Sequence, residues 1–98
     1  MLLRVIKAYR EVVAVCDTEL IGKRFEEGSF QLDVKESFFR GDEVGDEEAL
    51  MIMRQKMAED ATFNIVGERA IRAAITAGVV SEREVGSIRN VPFSLALI

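Results

Sequence analysis

The chain opens with apolar runs that carry strand character. Leu2 to Tyr9 is apolar apart from Arg4 and Lys7, and Arg10-Glu11 reads as a two-residue turn without the Asn-Gly or Asp-Gly of a strong hairpin signal. Val12 to Cys16 is apolar at every position, the pattern of a central strand covered on both faces. Asp17-Thr18-Glu19 breaks the run as a turn or a single helical turn, Leu20 to Phe25 reads as a short strand, and Glu26-Glu27-Gly28 as a turn. From Ser29 the alternation is strict. Phe30, Leu32, Val34 and Phe38 share one face, with Glu36 as the exception, while Ser29, Gln31, Asp33, Lys35 and Ser37 share the other. That period of two predicts a strand with one wet face.

The period then lengthens. After the loop Arg40 to Gly45, Asp46 is the expected N-cap, with Glu47 and Glu48 in a first turn where the helix dipole favours acids. The spacing predicts a helix over 47–60 with a core stripe of Leu50, Met53, Met57 and Ala61, flanked by Ala49 and Ile52. A second helix is predicted over 62–77. It either continues the first through a kink or starts afresh with Asn64 as N-cap. Gly78 is the expected left-handed C-cap, with Val79 supplying the accompanying apolar contact. Ser81-Glu82-Arg83-Glu84 matches a capping box and predicts one short helical turn. Val91 to Ile98 reads as a last strand, with Pro92 at its first residues or at an edge.

Strands, then helices, then a strand predict an α+β fold. We expect a small mixed or antiparallel sheet of about four to five strands with an N-terminal hairpin. A central pair of helices packs on it, and the C-terminal strand returns beside an early one. Ninety-eight residues predict one domain over 1–98.

Composition narrows the chemistry. An apolar fraction of 49 % and a charged fraction of 31 % fit a globular chain and not a disordered one. No apolar run approaches the roughly 20 residues of a membrane helix. The N-terminus lacks the layout of a signal peptide, so the expected location is the cytoplasm and no membrane partner is expected. The net charge is −4, and residues 41–60 alone contribute −5, which argues against nonspecific nucleic-acid binding.

With no histidine, Ser-His-Asp and Cys-His catalysis are excluded, and so is the commonest metal ligand. The single cysteine, Cys16, leaves no cysteine-based zinc site and no internal disulfide, and reads as a buried inert thiol. Neither GxxxxGK[ST] nor GxGxxG occurs. We therefore expect no cofactor, no metal and no catalytic residues. Trp is absent and Tyr9 is the only tyrosine, so base stacking would need phenylalanines, with Phe39 and Phe93 the candidates for exposure.

The most unusual stretch is Asn64-Ile65-Val66-Gly67-Glu68-Arg69-Ala70. A glycine inside a helix costs about 1 kcal/mol relative to alanine, so Gly67 signals either a close approach or a ligand. On a helix, Asn64 and Glu68 share a face, Gly67 bares backbone beside them, and Arg69 and Arg72 are three apart and suited to an anion or an RNA phosphate. The plainer alternative has Asn64 as a cap, Gly67 under a neighbouring backbone, and Glu68–Arg72 as a solvated pair. Asp17, Glu19, Lys23 and Arg24 follow a buried strand and are either a second site or a polar loop. The acids Asp42, Glu43, Asp46, Glu47 and Glu48 lack the spacing of a calcium loop and fit helix N-terminal acids. Met51, Met53 and Met57 suit core packing or an adaptable groove.

This segment resembles the Asn-(Leu/Ile)-Val-Gly-Glu-Arg-Ala stretch of an archaeal family of unknown function, domain of unknown function 424. Val13 to Asp17, Glu19-Leu20, Gly22-Lys23, Phe38-Phe39, Gly41 and Val91-Pro92 are similar in order and spacing. The resemblance covers nearly the whole chain. It implies a small archaeal cytoplasmic protein with an RNA-binding or translation-associated role. The expected function is thus a non-enzymatic binding protein that docks on RNA or a translation-related complex through Asn64, Gly67, Glu68, Arg69 and Arg72, joined by Lys23 and Arg24 if the fold brings them near. The competing expectation is a homo-oligomeric module, in its simplest form a homodimer, built from the apolar ends Met1 to Ile6 and Leu95 to Ile98. A small-molecule enzyme using Glu68 as acid or base ranks third.

Overall fold

The computed structural model describes residues 1–96, so Leu97 and Ile98 of the expected last strand lie outside it. The fold is α+β. A mixed sheet of six strands runs in the order β5-β1-β2-β6-β8-β7, from β1 (Leu2–Ile6), β2 (Val12–Cys16), β5 (Asp42–Glu43), β6 (Thr62–Val66), β7 (Gly86–Ile88) and β8 (Val91–Leu95). A separate two-stranded hairpin joins β3 (Arg24–Glu27) to β4 (Phe30–Asp33). The helices are α1 (Glu36–Phe39), α2 (Asp46–Ala58) and α3 (Glu68–Ala77).

The N-terminal hairpin forms as expected, with Leu3 opposite Val15 and Val5 opposite Val13. β2 is buried at all five positions. Its second neighbour is β6, which runs parallel to it, Val13 opposite Phe63 and Val15 opposite Ile65. This corrects the helix predicted over 62–77. Thr62, Phe63, Ile65 and Val66 are β-branched or aromatic and favour a pleated, two-sided environment. Only from Glu68 does the chain turn helical. The sheet therefore exceeds the expected strand number, because β6, β5 and β7 were not legible as strands. The C-terminal strand does return to the sheet, but beside β6 and β7 rather than beside an early strand. Pro92 sits at the second residue of β8, before the pairing with β6 begins at Phe93.

The strands expected at the ends of β1 and β4 are shorter. β1 stops at Ile6, and the alternation after Asp33 gives way to α1, which turns Phe39 inward. Phe39 is thus buried while Phe30, at the start of β4, is exposed, the reverse of the expectation for these two rings. The expected strand over 20–25 is mostly loop, with a single 3-10 turn at Thr18–Leu20 and β3 beginning at Arg24.

Two apolar clusters occupy the two sheet faces. Leu3, Val13, Val15 and Ile65 pack with α2 and α3 through Ala49, Met53, Ala70 and Ala74. Leu2, Ala14, Cys16 and Val66 pack with the β3–β4 hairpin and α1 through Leu32, Val34 and Phe39. Met53 is fully buried, but Met57 and Met51 face outward, so the expected α2 stripe is correct at Met53 and wrong at Met57. Gly78 ends α3 in the left-handed region at φ 80°, with Val79 N donating to Ala74 O at 3.0 Å. The capping box at Ser81 and Glu84 is formed.

Candidate binding surface

β2 and β6 end side by side, and the chain leaves β6 through Gly67 into α3. Asp17, the residue after β2, donates its backbone N to Val66 O at 3.0 Å. Its buried carboxylate accepts from Arg69 N at 3.2 Å and Ala70 N at 2.8 Å. Asp17 therefore caps α3 from another strand and satisfies two of the first-turn donors that a helix leaves open. Gly67 has φ 111°, and a Cβ built there would lie 2.3 Å from the Asp17 Cγ. Its N donates to Pro92 O at 2.8 Å. Both the backbone angle and the approach of Asp17 require glycine. The helix N-terminus is filled from within the protein.

Asn64 lies in β6, not on a helix, so it shares no face with Glu68. Strand alternation places it with Val66, on the face away from α3. It is buried, and its Oδ1 accepts from Ala96 N at 3.1 Å. Its Nδ2 has no partner among the described residues. Asn64 thus fastens the chain after β8. Asn64 is buried on the sheet face away from α3, and Gly67 sits at the turn into α3, where it lines a crevice beside Glu68.

Glu68, Arg69 and Arg72 do come together, on the exposed side of α3. Arg69 Nη2 donates to Asp46 Oδ1 at 2.6 Å, joining α3 to the start of α2. That hydrogen bond, with the Asp46 charge, pushes the Arg69 pKa up. Arg72 makes no ion pair among the described residues, and the expected Glu68–Arg72 pair is not formed. Between the two helices lies a groove of about 210 Å³. Leu50 and Ala73 form its floor, Arg69, Arg72 and Thr76 its α3 rim, and Asp46 and Glu47 its α2 rim. Arg54 Nη2 reaches Thr76 O at 3.4 Å. The sequence did not single out Leu50, Glu47 or Thr76 as neighbours of the arginines. Only the side-by-side packing of α2 and α3, which run in the same sense on either side of β6 in the chain, makes them so.

Lys23 and Arg24 belong to the hairpin layer on the opposite sheet face and do not join this surface. Arg24 Nη2 lies 3.4 Å from Glu26 Oε1, and Arg24 lines a shallow depression with Phe25 and Arg89. Glu68 also rims a crevice of about 180 Å³ beyond the ends of β2 and β6, with Glu19, Leu20, Asn90 and Pro92. It is exposed there. Cys16 is fully buried, and burial followed by the adjacent Asp17 charge pushes its thiol up to about 11. No helix is long and apolar enough to cross a membrane among the described residues.

The fold is similar to that of an uncharacterized conserved protein from Methanopyrus kandleri, known from a crystal structure. The TM-score is 0.83 at 26% identity, over 97% of this chain and 88% of that one. The source of that protein fits the archaeal resemblance read from the sequence. No curated protein matches the chain significantly. The sequence profile described as "Protein of unknown function (DUF424)" matches residues 6–97, and the chain belongs to that family.

Proposed function

We propose that the chain is a non-enzymatic binding protein that docks on a protein of the translation apparatus through the face shared by α2 and α3. The observation that carries this reading is the groove between the helices, with an apolar floor and a charged rim that includes Arg72, which makes no ion pair among the described residues. Ligand sites combine an apolar lining with a few placed polar groups in this way. The translation context comes from the family resemblance. The charge of this face favours a protein surface over RNA. Asp46 neutralises Arg69, and Glu47 and Glu48 stand on the same end of α2, where they repel phosphate.

Co-sedimentation with purified archaeal ribosomes tests the reading. The wild type is expected in the ribosomal pellet at physiological salt. The Arg69→Ala/Arg72→Ala double variant is expected to lose about tenfold in affinity, the size of a modest hot spot. A chain that stays in the supernatant, or binding indifferent to the double variant, overturns it. Equal binding to deproteinised ribosomal RNA with a steep salt dependence would instead give the RNA reading.

A further inference from the structure

We propose that the α2–α3 groove takes an apolar side chain with a carboxylate beside it, so that the docked partner is a protein segment carrying an acidic group next to an apolar anchor. This deepens the binding reading and rests on the same surface.

Size supports the anchor. The groove offers about 210 Å³ over Leu50 and Ala73, whereas an apolar cavity of about 150 Å³ already holds benzene. Charge supports the carboxylate and gives it a direction. The groove is polarised along its length. At the start of α3, Asp46 and Glu47 face Arg69, and the 2.6 Å contact between Asp46 and Arg69 leaves that end without free positive charge. One turn further, Arg72 has no acid within ion-pair distance among the described residues. Neither Glu68 nor Glu82, which share its other flank, closes on it. Arg54 brings a second guanidinium to the same end through Thr76 O. The Thr76 hydroxyl donates to Arg72 O at 2.9 Å, so it adds no negative charge. An incoming carboxylate therefore seats at the Arg72 end, with its apolar neighbour over Ala73. A planar guanidinium fork suits such a group in two-point contact.

The test uses the full chain and three probes followed by backbone amide chemical shifts: 4-phenylbutyrate, 4-phenylbutylamine and inorganic phosphate. Phenylbutyrate is expected to shift the amides of Leu50, Ala73 and Thr76. It should bind about two- to fivefold more tightly than the amine, the range of an exposed ion pair. Arg72→Gln should erase that preference and Glu47→Gln should increase it; both positions are exposed, so the variants should fold. The proposal is overturned if amine and carboxylate bind alike, if phosphate alone reproduces the shifts, or if the shifts fall elsewhere. Failure of the probes with intact, α3-dependent ribosome binding removes only this inference. Probe selectivity without ribosome binding removes the translation reading and leaves the groove's preference standing.

Discussion

Asp17 binds two amides of α3 across sequence separations of 52 and 53 residues, and Gly67 is the position that lets it do so. Replacing the cap, Asp17→Ala, is expected to cost about 1–2 kcal/mol. Gly67→Ala should cost more, about 2–6 kcal/mol, because it adds backbone strain at φ 111° to overpacking against the carboxylate. The two effects share atoms, so they should not add. In the Asp17→Ala background the clash is gone and only the backbone strain remains. Urea unfolding of the four-member cycle checks this. Strict additivity would show that Gly67 is required for its backbone angle alone. Beside this pair, Cys16 should resist thiol reagents in the folded protein, since it is fully buried and its pKa is pushed up to about 11.

Among the elements, β2 was legible to the residue because five consecutive apolar positions admit few alternatives. The α3 C-cap and the Ser81 capping box were legible because both are local motifs. β6 was not. Its alternation lasts only four residues, Thr62 and Asn64 polar against Phe63 and Ile65 apolar, and so short a pattern between helix formers does not distinguish strand from helix. That single error also misplaced Asn64, which was paired with Glu68 on a helix face that does not exist. The sequence leaves Asp17 between a second site and a polar loop, because nothing local marks a cap supplied from the end of another strand. Tertiary ion pairs were invisible for the same reason. Glu11, after the β1–β2 turn, accepts from Lys7 at 2.7 Å and from Lys56 of α2 at 2.9 Å, and Lys56 also reaches Glu59 at 3.1 Å. The Lys7 hydrogen bond first, then that of Lys56, holds the Glu11 carboxyl below its ordinary 4.5, while Glu11 and then Glu59 push Lys56 up from 10.5. A lowered carboxyl pKa contributes stability that is present above the unfolded value and lost as pH falls through the folded one. A raised amine contributes stability that is present below its unfolded value and lost as pH rises through the folded one. Glu11→Gln should therefore flatten the loss of stability between neutral pH and pH 3, and it should also flatten the alkaline loss near the Lys56 transition. Urea midpoints across pH check both limbs. An unchanged acid limb would show that Glu11 contributes nothing to folding.

At the scale of the molecule, the sheet is covered by two layers of unequal construction. α2 and α3 pack on one face through Ala49, Met53, Ala70 and Ala74. The other face is covered by a two-stranded hairpin and a four-residue helix, contributing chiefly Leu32, Val34 and Phe39. An isolated hairpin is marginal on its own, so the second layer is held by its apolar contacts with the sheet more than by its own hydrogen bonds. That asymmetry predicts that the hairpin layer opens as a unit before the rest unfolds, as weakly held segments do. Cys16 reports on it directly, because its side chain lies under that layer and not under the helices. Leu32→Ala and Met53→Ala each remove a buried side chain and should each cost about 2–5 kcal/mol in global stability. Their effects on Cys16 labelling in the folded state should differ. Leu32→Ala weakens the hairpin layer and should accelerate modification, by roughly thirtyfold for every 2 kcal/mol lost. Met53→Ala weakens the helical layer, which stays closed during hairpin opening, and should leave the native labelling rate almost unchanged. Equal acceleration by the two variants would mean that Cys16 is reached only through global unfolding, and that the two layers form a single cooperative unit.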